Sequence, residues 1–158
     1  MLIGKVGVGA QEGYEYTYSY GLGQSDKGIT SVVKAIDQHG AEEKTGVGYL
    51  YSLAQGWGHE AWGRNGRKIN VPLDEFKASM EYGKNVYMPQ FEGSDKPLCA
   101  NTIVLDNWNE YCEGHFLAPS NISGFGYLDM VREVFTKGGE HVDHNVDEPF
   151  DQMSAQLW

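Results

Sequence analysis

Apolar residues recur along the chain in stripes at helical spacing. Ile29, Val32, Val33 and Ile36 follow the i, i+3, i+4, i+7 pattern of one buried face, and Gly40 marks a stop. A second stripe opens at Pro72, a good first-turn residue, continues through Leu73, Phe76 and Met80, and ends at Gly83. A third runs from about Gly124, with Ser123 placed to cap it, through Leu128, Val131, Val134 and Phe135 to Gly138. Residues that favour strands precede each stripe. Tyr14, Tyr16, Tyr18 and Tyr20 alternate with Glu15, Thr17 and Ser19 in strict period two, the pattern of a half-buried strand. Gly46 to Leu53 is short, aromatic and β-branched, and Thr102 to Leu105 is a third short run. Strand and helix thus alternate as βα units do. The long gaps follow the strands, where an α/β barrel places its functional loops.

The third strand runs straight into Asp106, Asn107, Trp108, Asn109 and Glu110. A buried run that ends in such a polar, aromatic segment predicts a carboxyl end opening onto a ligand, as in other α/β sheets. Glu110 and Glu113 are the candidate catalytic residues, because acid/base work on a sugar needs one carboxyl group to donate and another to accept. Exposed carboxylates are usually solvated and idle. Here Trp108 and Asn109 stand beside them, and Gly114 allows the sharp turn that lets side chains converge. In an extended chain, positions i and i+3 face opposite ways. Both carboxylates therefore reach one pocket only if the strand has ended by about Asn109.

The segment W-N-E-Y-C-E-G-H-F-L-A-P, Trp108 to Pro119, followed by G-F-G-Y-L, Gly124 to Leu128, resembles the W-N-E-W-x-E-G signature of glycoside hydrolase family 99-like proteins, including the WbsX-like branch connected with polysaccharide biosynthesis. The stretches G-Y-E-Y-T-Y-S-Y, Gly13 to Tyr20, and G-W-G-H-E-A-W-G-R, Gly56 to Arg64, look like two earlier blocks of that family in the same order. The resemblance implies a (β/α)8 TIM-type barrel that cleaves α-mannosides with retention, through a 1,2-anhydro sugar, with no metal and no other cofactor. It implies that Glu110 is the base at the sugar 2-hydroxyl and Glu113 the general acid/base at the glycosidic oxygen. Between the glutamates this chain carries Tyr111 and Cys112, where the characterised hydrolases have Trp and His. That departure bears on the substrate more than on the reaction class.

A complete barrel typically takes about 250 residues, and the chain has 158. The expectation is therefore a partial barrel of about three βα units, with residues 1–140 as the C-terminal part of a family 99-like barrel and residues 141–158 as a tail. The competing expectation is a small open α/β sheet that stands alone or pairs with a second copy. On function, the alternatives to a hydrolase fragment are a polysaccharide-biosynthesis transferase and a non-catalytic glycan-binding remnant. Unpaired sheet edges in a partial barrel favour self-association.

Composition narrows the partners. With 12 Lys and Arg against 22 Asp and Glu, the net charge is −10. Such a chain repels phosphate backbones, and it lacks a basic cluster, so nucleic acid is not an expected partner. No apolar run reaches the length of a membrane span, and Met1 to Ala10 has no signal-peptide core, which leaves the compartment undefined. A glycan or oligosaccharide is the expected ligand. Aromatic residues make up 13%, and several sit in polar loops where flat rings suit sugars. Trp108, Asn109 and His115 in the motif, Tyr20 after the tyrosine strand, and Trp57 and Trp62 in the glycine-rich stretch are the candidate substrate-binding residues. Cys99 and Cys112 are too few for a disulfide scaffold. His141, Asp143, His144, Asp147 and Glu148 offer ligand-like chemistry but read as a solvated tail.

Overall fold

The structure, a computed structural model, describes residues 3–5, 13–20, 29–30, 33–34, 46–58 and 69–137. Short parallel pairings organise it. β1 (Ile3–Lys5) pairs with β2 (Tyr16–Tyr18), and β2 pairs with β3 (Gly48–Tyr49). After Leu50 the same chain continues as β4 (Tyr51–Ala54), which pairs with β7 (Ile103–Asp106) in the register Tyr51 to Ile103 and Ala54 to Asp106. Leu50 N–H donates to Thr17 O at 2.8 Å, so the two pairings run on without a break. Neighbouring strands follow chain order, as successive βα units require.

Every residue from Val47 to Gly56 is buried. Alternate side chains go to opposite faces: Tyr49, Tyr51 and Leu53 join the larger core with Phe76, Met80 and Val134, while Leu50 packs with Tyr16 and Cys99. Cover on both faces is why this segment reads as a continuous run rather than as an alternation. The tyrosine segment behaves the same way. Its alternation predicts a half-buried strand, yet Thr17 is 0% exposed and Tyr16 5%, where β2 is paired along both edges by β1 and β3; Tyr18 alone of the strand is half-buried. Beyond Thr17, the Ser52 hydroxyl takes over from the backbone ladder, donating to Ser19 O at 2.9 Å and accepting from Ser19 N–H at 3.3 Å.

α1 (Leu73–Tyr82) begins after Pro72 as expected and buries Phe76 and Met80, whereas Leu73 is exposed. Gly83 is not its stop. The chain continues through a π-turn (Gly83–Tyr87) and a 3-10 turn (Met88–Phe91). At Gly83 the backbone lies against the Tyr51 ring, and an added Cβ would overlap that ring. This glycine therefore serves close approach, not termination. Tyr51 is locked from its other end, since its Oη donates to Ser79 O at 2.5 Å.

A short helix with no counterpart in the sequence reading, α2 (Pro97–Asn101), carries the fully buried Cys99 and leads into β7. α3 (Gly126–Phe135) starts later than its apolar stripe predicts, with Phe125 at the cap. Ser123 instead pairs its hydroxyl with that of Ser120 at 3.0 Å, and its carbonyl accepts Gly126 N–H at 2.9 Å. α3 lies against α1: the Phe76 and Tyr127 rings meet edge to face at 5.3 Å, and Tyr127 Oη donates to Val71 O at 2.7 Å. The ion pair Lys77–Glu133 at 2.8 Å also joins the two helices, but exposed pairs of this kind contribute at most about 1 kcal/mol.

Residues 29–30 and 33–34 are helical, consistent with the first stripe. Val32, Ile36, Gly40, Gly138 and the 141–158 tail with its His141 to Glu148 cluster lie outside the described residues. Among the described residues the strands and helices do not close into a barrel, and no helix is long and apolar enough to cross a membrane.

Two outcomes follow from this packing. Gly83→Ala forces a methyl group into a ring that has nowhere to move, and should lower unfolding stability by about 1–3 kcal/mol in a denaturant titration; an unchanged midpoint would mean the Tyr51 ring yields. Burial holds the Tyr51 and Tyr127 phenols above the ordinary tyrosine range. Unfolded tyrosines lose their protons near pH 10 or so, so above that pH the unfolded chain binds fewer protons than the folded one. Stability contributed by these groups should be intact at neutral pH and fall as pH rises past about 10, by roughly 1.4 kcal/mol per pH unit and group. The Tyr51→Phe variant should show a correspondingly shallower alkaline decline in its unfolding midpoint.

Candidate functional site

The parallel strands deliver the segments after their carboxyl ends to one place. Tyr20 follows β2, Trp57 lies just beyond β4 in β5 (Gly56–Trp57), and Asn107 follows β7 across a cis peptide bond. β5 is itself held by antiparallel pairing with β6 (Ile69–Asn70). The motif beyond Asn107 folds back as a small hairpin. β8 (Asn109–Glu110) pairs antiparallel with β9 (His115–Phe116), and the register sets Glu110 directly opposite His115.

One 3-10 turn, Tyr111–Glu113, joins these strands, and Gly114 follows at φ 60°, in the left-handed region that glycine tolerates. This turn resolves the geometric conflict of the i, i+3 spacing. The extended chain is interrupted between the glutamates, and ligating atoms of Glu110, Glu113 and His115 lie within 4.8 Å of one another. The turn is tied to the strand ends by two bonds: Gly58 N–H donates to Glu113 O at 2.6 Å, and Gln55 Nε2 donates to Gly114 O at 3.2 Å. Its far side is held by Leu117 N–H on Asn107 O and Ala118 N–H on Trp108 O, each at 2.9 Å.

Glu110 Oε2 accepts two hydrogen bonds, one from Tyr20 Oη and one from Asn107 Nδ2 at 2.6 Å. Asn107 Nδ2 also reaches Tyr20 Oη at 3.3 Å. Burial, and then the hydrogen bond to Glu110, push the Tyr20 phenol well above the ordinary tyrosine range. The phenol therefore remains a protonated donor at any ordinary pH, and it fixes one carboxylate oxygen of Glu110 in place. The Glu110 side chain is still 35% exposed, open to an incoming group.

His115 is fully buried. Its ring lies 5.0 Å from Tyr20 and 5.4 Å from Trp57, and those two rings meet edge to face at 5.8 Å. Its Nδ1 faces Glu110 Oε2 at 3.7 Å, close enough for electrostatic interaction but too long for a hydrogen bond. Among the described residues, neither ring nitrogen has a hydrogen-bond partner.

Of the residues singled out in the sequence, the structure brings together Glu110, Glu113, Tyr20, Trp57 and His115. Asn109 is exposed, and as the strand neighbour of Glu110 it points to the other side of the hairpin. Trp108 is 57% exposed and lies outside the Tyr20, Trp57 and His115 ring cluster. Trp62 lies outside the described residues. Asn107 and Gln55 do work that the sequence reading did not assign to them. Asn107 stood three residues before Glu110 in the polar run, a visible signal. Gln55, only 2% exposed, was hidden because its partner is 59 positions away. Neither Cys99, which is buried, nor Cys112, which is exposed, forms a disulfide.

Comparison of the chain with protein-family models, with curated proteins and with solved structures finds no match in any of the three.

Proposed function

We propose that this protein is a glycoside hydrolase of the retaining type, acting on a glycan through Glu110 and Glu113. The observation that carries the reading is the approach of the two carboxylates to within 4.8 Å at the carboxyl ends of parallel strands. An inverting enzyme needs about 6.5–9.5 Å between its carboxyl groups to admit a water, and a retaining one about 5–5.5 Å. With one oxygen of each carboxylate within 4.8 Å of the other, the pair lies toward the short, retaining side of this range. The motif resemblance to glycoside hydrolase family 99-like proteins supports the same assignment and points to α-mannosides as the first substrates to try.

The roles follow from what each group can do. Glu110, held by two donors on Oε2, acts as the base and takes the proton of the sugar 2-hydroxyl. The freed oxygen attacks C-1, the C-1 to leaving-group bond breaks, and Glu113 gives its proton to the departing oxygen. Water then attacks C-1 and opens the 1,2-anhydro ring; Glu113 takes the water proton and Glu110 returns its proton to O-2. Both carboxyl groups end as they began. The 2-hydroxyl and the glycosidic oxygen sit on adjacent carbons, so two carboxylates this close suit them. Tyr20 acts through Glu110 as a positioning residue, and Trp57 supplies an apolar ring beside the site.

Glu110→Gln and Glu113→Gln should each lower kcat on an α-mannoside by about 10²–10⁴-fold with little change in unfolding midpoint, the usual scale for losing a general acid or base. Product anomers followed by NMR should show retention. Tyr20→Phe should cost about 10–150-fold, the scale of about 1.5–3 kcal/mol for one hydrogen bond to a charged group. Turnover unaffected by both glutamine substitutions would remove the assignment. Binding of glycans without any turnover would leave a carbohydrate-binding protein in its place.

A further inference from the structure

We propose that Glu110, Glu113 and His115 form a binding site for a divalent transition-metal cation of the Zn²⁺ class. The proposal goes beyond the glycosidase reading, does not depend on it, and departs from the metal-free chemistry that the motif resemblance implies.

Two carboxylates at close range are common on acidic surfaces and would mean little alone. The second observation is His115. Its side chain is 0% exposed, yet neither ring nitrogen has a hydrogen-bond partner among the described residues, and Nδ1 is aimed at Glu110 Oε2 from 3.7 Å. A buried polar group without a partner has lost its water and gained nothing in return, so native structures rarely keep one without use. A metal ion on an imidazole nitrogen is such a use.

Geometry and donor chemistry agree. Two ligands of a tetrahedral Zn²⁺ at about 2.0–2.1 Å stand about 3.3 Å apart, close to the 3.7 Å between His115 Nδ1 and Glu110 Oε2. Glu113 supplies a third donor within 4.8 Å, from a half-exposed side chain on a one-turn segment that can close the remaining distance. One imidazole and two carboxylates match zinc better than Mg²⁺ or Ca²⁺, which favour oxygen donors throughout. Tyr20 and Asn107 already orient the Glu110 carboxylate, as second-layer donors do around metal ligands. Three protein ligands leave an open coordination position.

The test is metal binding by the intact protein, read without substrate. Isothermal titration with Zn²⁺ should show one saturable site, and Co²⁺ as a probe should give the visible absorption of a low-coordinate ion with nitrogen and oxygen ligands. Millimolar Mg²⁺ should not displace it. His115→Gln and Glu113→Gln should each weaken Zn²⁺ binding by at least about 100-fold, and Tyr20→Phe by about 10–100-fold. Glu113 lies on a surface turn, so its variant keeps the test valid should the His115 variant fail to fold. No saturable site, or binding unchanged in Glu113→Gln and Tyr20→Phe, would overturn the proposal. Zinc binding without glycan turnover would sink the glycosidase reading alone, and turnover without zinc binding would sink this proposal alone.

Discussion

The run from Val47 to Gly56 has no face turned to water, and the rest of the structure is arranged around that fact. A strand buried on both sides must find apolar cover twice and hydrogen-bond partners along both edges. The cover comes from α1 and α3 on one face and, around Leu50, from Tyr16 and Cys99 on the other. The partners change halfway along. β2 takes the first half, β7 takes the second, and Leu50 N–H on Thr17 O bridges the change. Because all these pairings are parallel, the carboxyl ends of β2, β4 and β7 point the same way. Residues from three distant parts of the chain meet there as a consequence of the pairing, not of any local preference.

What happens at that end is decided by register. A hairpin whose pairing sets Glu110 opposite His115 places their side chains on one face, and a shift by one residue would send Glu110 to solvent. The 3-10 turn then brings Glu113 round to the same side. Tyr20 and Trp57 close the space around His115 with ring edges and faces. Gln55 and Gly58 clamp the turn to the end of β4 and just beyond it. The chemistry of the site thus rests on backbone pairing first and on side-chain hydrogen bonds second.

Much of this was legible in the chain, and the parts that were not have a common cause. The apolar spacing of Phe76 and Met80, or of Leu128, Val131 and Val134, marks the faces that meet the core, because helical periodicity is a local property. The dense run from Gly46 to Leu53 likewise marked the central strand, and the polar break after Leu105 marked the end of β7, where the candidate site gathers. Gly83 misled because sequence offers only its usual role as a terminator, while its actual role depends on Tyr51, a ring more than a turn of chain away in another element. Ser123 resembles an N-cap by position, yet Ser120 claims its hydroxyl. The burial of His115 was equally invisible, since Tyr20 and Trp57 that surround it come from other strands. Local signals predicted elements and their faces; contacts between distant residues decided which glycine, serine or histidine did what.

Charge sets the last constraint on the site. Were both glutamates ionised at the 4.8 Å limit of their separation, their repulsion would be about 3.5 kcal/mol at an effective dielectric of about 20 and about 0.9 kcal/mol in bulk water. Two hydrogen bonds to a charged carboxylate, at about 1.5–3 kcal/mol each, are of the size needed to offset it. Both fall on one oxygen of one partner, Glu110 Oε2. The pair is therefore asymmetric by construction: one carboxylate is fixed by the protein, and the other sits on a surface turn. Protein groups satisfy the fixed half, while among the described residues the ring nitrogens of His115 have no hydrogen-bond partner. The proposed sugar chemistry and the proposed cation site draw on the same two carboxylates.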